Sequence, residues 1–273
     1  MIEIPESKCL ADQFSKVLKG KTITRVVANK SPHKFAWFHG DPGAYDGALR
    51  GQIITGSDSF GGMAELQAGD LKLVFCDGTN VRFCAAGAQL PPKHQLHIAF
   101  EDGSSLICSV QMYGAMWLLG RDEEEAYYKI AKYKIKPLQP EFDAAYFSGL
   151  LKTAKNNLSV KAFLATEQRI PGLGNGVLQD ILFNARIHPR RKLASLTAAE
   201  TEYLFRSVKQ TLADMTEQGG RNTEKDLFGS PGGYQTKLSA KTKDLPCPVC
   251  GAPIIREAYL GGNIYYCPVC QNL

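Results

Sequence analysis

Four of the eight cysteines fall in the last 27 residues, as Cys247-Pro-Val-Cys250 and Cys267-Pro-Val-Cys270. Two C-x-x-C knuckles separated by 16 residues place four thiolates at the corners of one tetrahedron, a ligand set that suits a single Zn²⁺. The alternative, two disulfides or a redox pair, belongs to an oxidising compartment for which the rest of the chain gives no sign. Between the knuckles, GAPIIREAYLGGNIYY reads as a β-hairpin, with apolar Pro253-Ile254-Ile255, a turn at Gly261-Gly262-Asn263, and Ile264-Tyr265-Tyr266. A ribbon of this size folds only around its metal and serves as a rigid platform. Cys9, Cys76, Cys84 and Cys108 stand singly in apolar or strand-like runs and read as small buried hydrophobes.

A second group is Ile170-Pro171-Gly172-Leu173-Gly174-Asn175. Pro171 ends one helix, the glycines permit close backbone approach, and Asn175 is placed to cap the next helix. Backbone N–H groups at a helix N-terminus suit a phosphate, and Lys161 is within reach of the same anion. Taken alone, the string reads as a tight interhelical turn. Glu3 and Glu6 open the chain as two carboxylates that, taken by themselves, read as helix-capping groups. The segment Ser31-Pro32-His33-Lys34-Phe35-Ala36-Trp37-Phe38-His39-Gly40-Asp41 is dense in aromatic and polar residues. It reads as a pocket wall or as an ordinary loop packed on a sheet.

These groups need elements to hold them. At 273 residues, about two domains are expected. The composition, 44% hydrophobic and 22% charged, is that of a globular chain and excludes disorder and fibrous folds. No apolar run reaches the length of a membrane span, and MIEIPESKCLADQ lacks a signal-peptide layout, so a cytoplasmic protein without a membrane partner is expected. The net charge of +5 is uneven: residues 1–150 hold 16 Lys/Arg against 17 Asp/Glu, and residues 151–273 hold 16 against 10. A cationic second half points to a polyanion on that side.

The spacing predicts a helix over 7–19 stopped by Gly20, then short strands at 22–27, 71–75, 96–100 and 105–110, the last two joined by Glu101-Asp102-Gly103-Ser104. Strands this short and frequent argue for a β-sandwich or barrel. The acidic run Arg121-Asp122-Glu123-Glu124-Glu125, with Pro137 and Pro140, marks a linker over 121–145. Helices are predicted at 143–154, from 160, at 179–185 and at 197–217, where TAAE is a capping-box pattern. The Gly-rich stretch 219–235 reads as a loop of functional length. The fold class is α+β: domain 1–120 a β-sandwich with an N-terminal helix, linker 121–145, domain 146–235 helical, and a zinc ribbon over 236–273.

Over essentially its whole length the chain resembles the formamidopyrimidine-DNA glycosylase / endonuclease VIII family. The resemblance rests on an ordered set: Glu3, Pro5 and Glu6; Lys136-Pro137-Leu138 with Phe142-Asp143; Lys161; Gly172-Leu173-Gly174-Asn175; Ile187-His188-Pro189; Gly219-Gly220, Asp226 and Tyr234; and Tyr266-Cys267 with Cys270-Gln271. It implies a helix–two-turn–helix in the second domain and a monomer that binds damaged or abasic duplex DNA in the interdomain cleft. It also implies base excision with strand cleavage, in which an N-terminal amine attacks C1′ of a flipped-out nucleotide and forms a Schiff base. By position, Met1 or Ile2 supplies that amine, Glu3 is the acid/base on the sugar and Glu6 supports the site. Lys161, Gly174 and Asn175 hold phosphates, Met112 or Tyr113 wedges into the duplex, and Tyr234 lies in the DNA-binding loop region.

The chain departs from the family pattern at several positions. Ile2 stands where the family exposes a terminal proline. The family's hairpin lysine has no counterpart in Gly56-Ser57-Asp58-Ser59-Phe60-Gly61-Gly62-Met63. Asp77 stands for a methionine, Gln111-Met112-Tyr113 for an Arg-Arg-Phe run, and Gly262 for the ribbon arginine; the acidic residue five after Asn175 is kept as Asp180. The competing reading is therefore a lesion- or structure-specific DNA-binding protein that keeps the scaffold without the chemistry.

Overall fold

The computed structural model describes residues 1–76 and 78–273; Asp77 lies outside the described residues. The first domain comprises helix α1 (Ile4–Val17), strands β1 (Ile23–Ala28) and β2 (Ala36–Phe38), helix α2 (Tyr45–Leu49), and strands β3 (Ile54–Phe60), β4 (Met63–Ala68), β5 (Leu71–Phe75), β6 (Thr79–Cys84), β7 (Leu96–Phe100), β8 (Ser105–Val110) and β9 (Gly114–Leu119). One sheet runs β1-β7-β8-β6 and is antiparallel. The other runs β2-β9-β5-β4-β3, with β2 added parallel to β9 at its edge. Alternation in β7 turns Leu96, Ile98 and Phe100 inward. They meet Leu66, Leu73 and Phe75 of the facing sheet in one core that also takes Leu10 and Phe14 of α1.

The second domain holds α4 (Ala144–Thr153), capped by Asp143, and α5 (Val160–Ala165), capped by Ser159. Helix α6 (Asn175–Asn184) and the long α7 (Ala198–Glu217) follow, the latter behind the Thr197/Glu200 capping box. Phe147, Phe163, Ile181, Leu204 and Leu212 form its core. The ribbon strands β10 (Ile255–Tyr259) and β11 (Gly262–Tyr266) pair antiparallel. Their turn is Leu260-Gly261, both with positive φ, one residue earlier than the sequence predicts. The α+β class, sandwich, helical domain and ribbon all appear.

Three differences from the sequence reading bear on the site. The expected linker 121–145 contains helix α3 (Ala126–Tyr133), whose buried Tyr128 hydroxyl donates to the Glu65 carboxylate of β4. The stretch 219–235 has no regular element but is closed on itself, with Asn222 N–H donating to Tyr234 O and Asp226 accepting from the Phe228 and Ser230 amides. It docks on the sandwich: Phe83 N–H donates to Leu227 O, and Leu227 is buried in the sandwich core. Finally, α1 serves both domains, since Leu10 and Phe14 enter the sandwich core while Ile4 enters the helical one.

Candidate active site

Where the two domains and the ribbon meet there is a cleft of about 390 Å³. Its lining includes Met1, Glu3, Met112, Tyr113, Lys161 and Asn175, drawn from segments as far apart as the first residues, the β8–β9 loop and two helices. Ile2 and Gly174 also line it, whereas Tyr234 does not.

The floor is built around α6. The sequence places a phosphate at this helix N-terminus under an Asn175 cap. Instead Gly174 is the cap residue, and the anion is the protein's own Glu3. Gly176 N–H donates to Glu3 Oε1 at 2.9 Å and Val177 N–H to Glu3 Oε2 at 2.8 Å. A carboxylate here meets both the unpaired N–H groups and the positive end of the helix dipole. Glu3 is 3% exposed. Its partner is Arg221, a residue that nothing local in the sequence singles out. The Arg221 guanidinium lies 3.6 Å from Glu3 Oε2 and forms a two-pronged pair with Glu6, Nε to Oε1 at 2.9 Å and Nη2 to Oε2 at 2.8 Å. Glu6 also accepts from the Glu3 amide at 3.2 Å.

The two carboxyls are tuned apart. Burial pushes Glu3 above its ordinary range, with Arg221 only partly offsetting it and Glu6 adding to it. For Glu6 the burial penalty is outweighed by the charge and hydrogen bonds of Arg221, so it is held below that range. The guanidinium is buried too, and the two carboxylates more than compensate, keeping it charged. A cation buried among two carboxylates is the arrangement that makes such burial tolerable. Glycine at 176 is required by space: a Cβ there would run into the Arg221 guanidinium.

The amine of Met1 is ion-paired with Glu224, and the Met1 carbonyl accepts from Arg221 Nη2 at 3.4 Å. Ile2, the alternative carrier of the amine, is 5% exposed, with its side chain in the sandwich core. The absent hairpin lysine also has a steric counterpart. The β3–β4 turn, Gly61-Gly62, lies directly on Pro171-Gly172; a Cβ on Gly172 (φ +77) would strike the backbone of both turn glycines, and one on Gly62 would sit 3.0 Å from Ile2 O. Ser7 Oγ donates to Gly61 O at 2.6 Å and Ile4 N–H to Gly172 O at 3.1 Å. Backbone fills the space that a long side chain at this turn would need.

On the opposite wall, Lys161 is 4% exposed and donates to the Tyr259 carbonyl of the ribbon at 2.6 Å; burial lowers its pKa. Asn175 Nδ2 donates to Asn263 O at 2.9 Å, leaving its Oδ1 buried with no partner among the described residues. Gln179 completes the staple by accepting from Tyr265 N–H at 3.0 Å. Met112 is 68% exposed at the mouth, and Tyr113 beside it donates to Met1 Sδ at 3.2 Å. Tyr234 is buried in the helical core and hydrogen-bonds Asp180, whose carboxylate also accepts from the Lys237 and Leu238 amides. The expected DNA position of Tyr234 is therefore corrected to an internal one.

The four ribbon cysteines converge, with all Sγ atoms within 4.8 Å of one another. Cys247 and Cys270 are 3.8 Å apart and Cys250 and Cys267 3.4 Å. Those distances exclude disulfides at ~2.05 Å. They match the edge of about 3.8 Å of a thiolate tetrahedron with ~2.3 Å metal–sulfur bonds. The set can bind a metal ion.

A sandwich joined through a cleft to a helix–two-turn–helix and a cysteine ribbon defines the DNA-glycosylase architecture of this class. The model of the formamidopyrimidine-DNA glycosylase H2TH domain matches residues 134–226. The chain is similar to the formamidopyrimidine-DNA glycosylase of Symbiobacterium thermophilum, 30% identical over 99% of this chain and 89% of that protein. It is 28% identical to that of Lactobacillus delbrueckii subsp. bulgaricus over the full length of both. The solved MutM (Fpg) protein of Thermus thermophilus superposes with a TM-score of 0.81 at 25% identity, covering 98% of each chain. The Lactococcus lactis Fpg in complex with abasic-site DNA shares the fold with a TM-score of 0.85 at 24% identity, over 99% of this chain and 100% of that one. The chain belongs to the formamidopyrimidine-DNA glycosylase family.

Proposed function

We propose that the protein acts in base-excision repair as a monomeric DNA glycosylase/AP lyase on damaged or abasic duplex DNA, with the cleft as its site. The observation that carries this reading is that one cleft is lined both by Met1, whose amine is paired with Glu224, and by Glu3, a buried carboxyl whose pKa is raised. The Met1 ammonium first gives one proton to Glu224, which relays it to solvent. The neutral amine attacks C1′ of the flipped-out nucleotide as the bond to the base breaks, the base leaving with a proton from solvent. The C1′-bound nitrogen then passes a second proton to Glu224. The nitrogen lone pair then opens the sugar to the Schiff base, and O4′ takes its proton from Glu3, a group suited to carry one. Arg221 and Glu6 hold Glu3 in place. The second N–H of Asn175 Nδ2 and the Lys161 ammonium, both residues of the cleft lining, take the roles of orienting the strand by donating to its phosphates, and Met112 and Tyr113 fill the space of the extruded nucleotide. The four cysteines hold one Zn²⁺, which fixes the ribbon that Lys161 and Asn175 grip.

A second reading has a specific observation behind it. Ile2 is committed to the core and the Gly61-Gly62 turn has no room for a basic side chain. Both features fit a protein that binds lesions without cutting. Borohydride trapping on an abasic-site duplex separates the two: the glycosylase/lyase reading requires a covalent adduct, and binding without an adduct would establish the silent one. Most of the cleft's chemistry-bearing residues belong to the interface with DNA in either case. Among the described residues no helix is long and apolar enough to cross a membrane.

A further inference from the structure

The aromatic segment 31–41 is not a packing loop on both faces. Phe38 turns inward against Tyr45, at 5.7 Å between ring centroids. Trp37 lies on the other face of β2, and His33 and Phe35, in the turn closed by Ala36 N–H donating to His33 O, join it there. Their rings form a row, His33 to Phe35 at 6.4 Å and Phe35 to Trp37 at 6.4 Å. The row continues across the parallel β2–β9 pairing to Tyr113, 6.2 Å from Trp37. Phe35 is 45% and Trp37 48% exposed, and the neighbouring Met112 68%. Lys34 places its ammonium 5.3 Å from the centre of the Phe35 ring. Neither 31–40 nor 111–113 contains a carboxylate, while Lys30 and Lys34 flank the row. At its far end His39 pairs with the Glu125 carboxylate at 2.7 Å.

An exposed patch of this kind on a monomer marks an interaction site, and two observations identify what lies on it. Tyr113 and Met112 belong both to this face and to the lining of the cleft, so a strand leaving the cleft runs onto the row. The patch also pairs aromatic faces with the positive charge of Lys30 and Lys34, a combination that holds bases by stacking and phosphates by attraction. Bases inside a duplex have both faces occupied by their neighbours. Only unpaired ones can lie on side-chain rings.

We propose that His33, Phe35, Trp37 and Tyr113 form a stacking track for single-stranded DNA contiguous with the strand in the cleft, so that the protein prefers lesions bordered by unpaired nucleotides. This rests on the cleft being a DNA site. The test compares two ligands carrying the same uncleavable abasic-site analogue, one fully paired and one with a short oligothymidine tail adjoining the lesion. Wild-type protein is expected to bind the tailed ligand roughly tenfold or more tightly, as stacking of one or two bases at ~1–3 kcal/mol each implies. The double variant Phe35→Ala/Trp37→Ala should lose that margin while its affinity for the paired ligand stays within about twofold. Trp37→Phe, which keeps a ring, should retain most of it. The chain has two tryptophans, so in a Trp117→Phe background emission reports on Trp37 alone; the tailed ligand should quench it and the paired one should not.

Equal affinity of the wild type for both ligands, or the same loss for both in the double variant, would overturn the proposal. Trp37 emission unmoved by bound tailed DNA would also overturn it and leave the face to a protein partner. If the paired ligand fails to bind at all, the reading of the cleft fails. The track is then judged separately by quenching with oligothymidine alone.

Discussion

Glu3 and Glu6 sit three residues apart at the start of α1, and both are turned inward onto one guanidinium, that of Arg221. Removing one partner of such a buried group strands the others, so Glu6→Gln should cost about 3–5 kcal/mol at neutral pH. The acid dependence follows from the direction of the Glu6 shift. Its folded pKa is held below the ordinary 4.5. Its contribution is therefore complete above 4.5 and is lost as pH falls through the lower folded value. Glu3 has the opposite sign, since its folded pKa is raised: it takes up a proton above 4.5 and favours the folded state progressively as pH falls through that window. Thermal melts should show wild type and Glu6→Gln far apart at pH 7 and converging below about 4.5; a constant gap would refute the assignment. Neither Arg221 nor its role was legible in the sequence. It lies 215 residues from Glu6, beyond any periodicity or capping rule. Glu3 and Glu6 were legible as a pair of carboxylates, though their capping use reaches across to another domain's helix.

At the scale of elements, the strands and helices with strong local signals fall where patterning puts them. Those read wrongly have local reasons. Helix α6 begins at Asn175, while its sequence signal starts only near Gln179, because Gly176 weakens helix propensity in the first turn and the stabilising anion comes from Glu3. Helix α3 was hidden behind the acidic run 121–125, and its anchorage to Glu65 is a tertiary contact. The turn-on-turn contact of Gly61-Gly62 with Pro171-Gly172 gives a sharp expectation. Gly172→Ala combines a left-handed backbone with a steric clash, and should lower stability by about 2–3 kcal/mol and weaken DNA binding by shifting the hairpin out of the cleft. Unchanged melting would mean that the two turns do not touch. For the ribbon, chelation should release Tyr259 and Asn263 from Lys161 and Asn175. DNA binding is expected to be lost while the far-UV signal of α4–α7 persists; retained binding after metal removal would show that the ribbon is not a clamp.

For the whole molecule, the sequence arithmetic of a near-neutral first half and a cationic second half holds its meaning. The second half carries the helix pair and ribbon, and the first contributes Met1, Glu3 and the Met112–Tyr113 rim of the cleft. α1 and the docked 219–235 stretch tie the halves together, so the cleft is a property of the assembled molecule and of neither domain alone. Binding of an abasic duplex should weaken by about two orders of magnitude or more between ~50 and ~200 mM salt if several phosphates are held. An affinity insensitive to salt would contradict that. The central claim is that this cleft performs base-excision chemistry through the Met1 amine. Borohydride trapping of the full chain on an abasic-site duplex tests it most directly. The account predicts a covalent protein–DNA adduct at Met1, located by peptide mass spectrometry and lost when the amine is blocked. Tight binding of the same duplex with no adduct, or an adduct on a lysine, would contradict it.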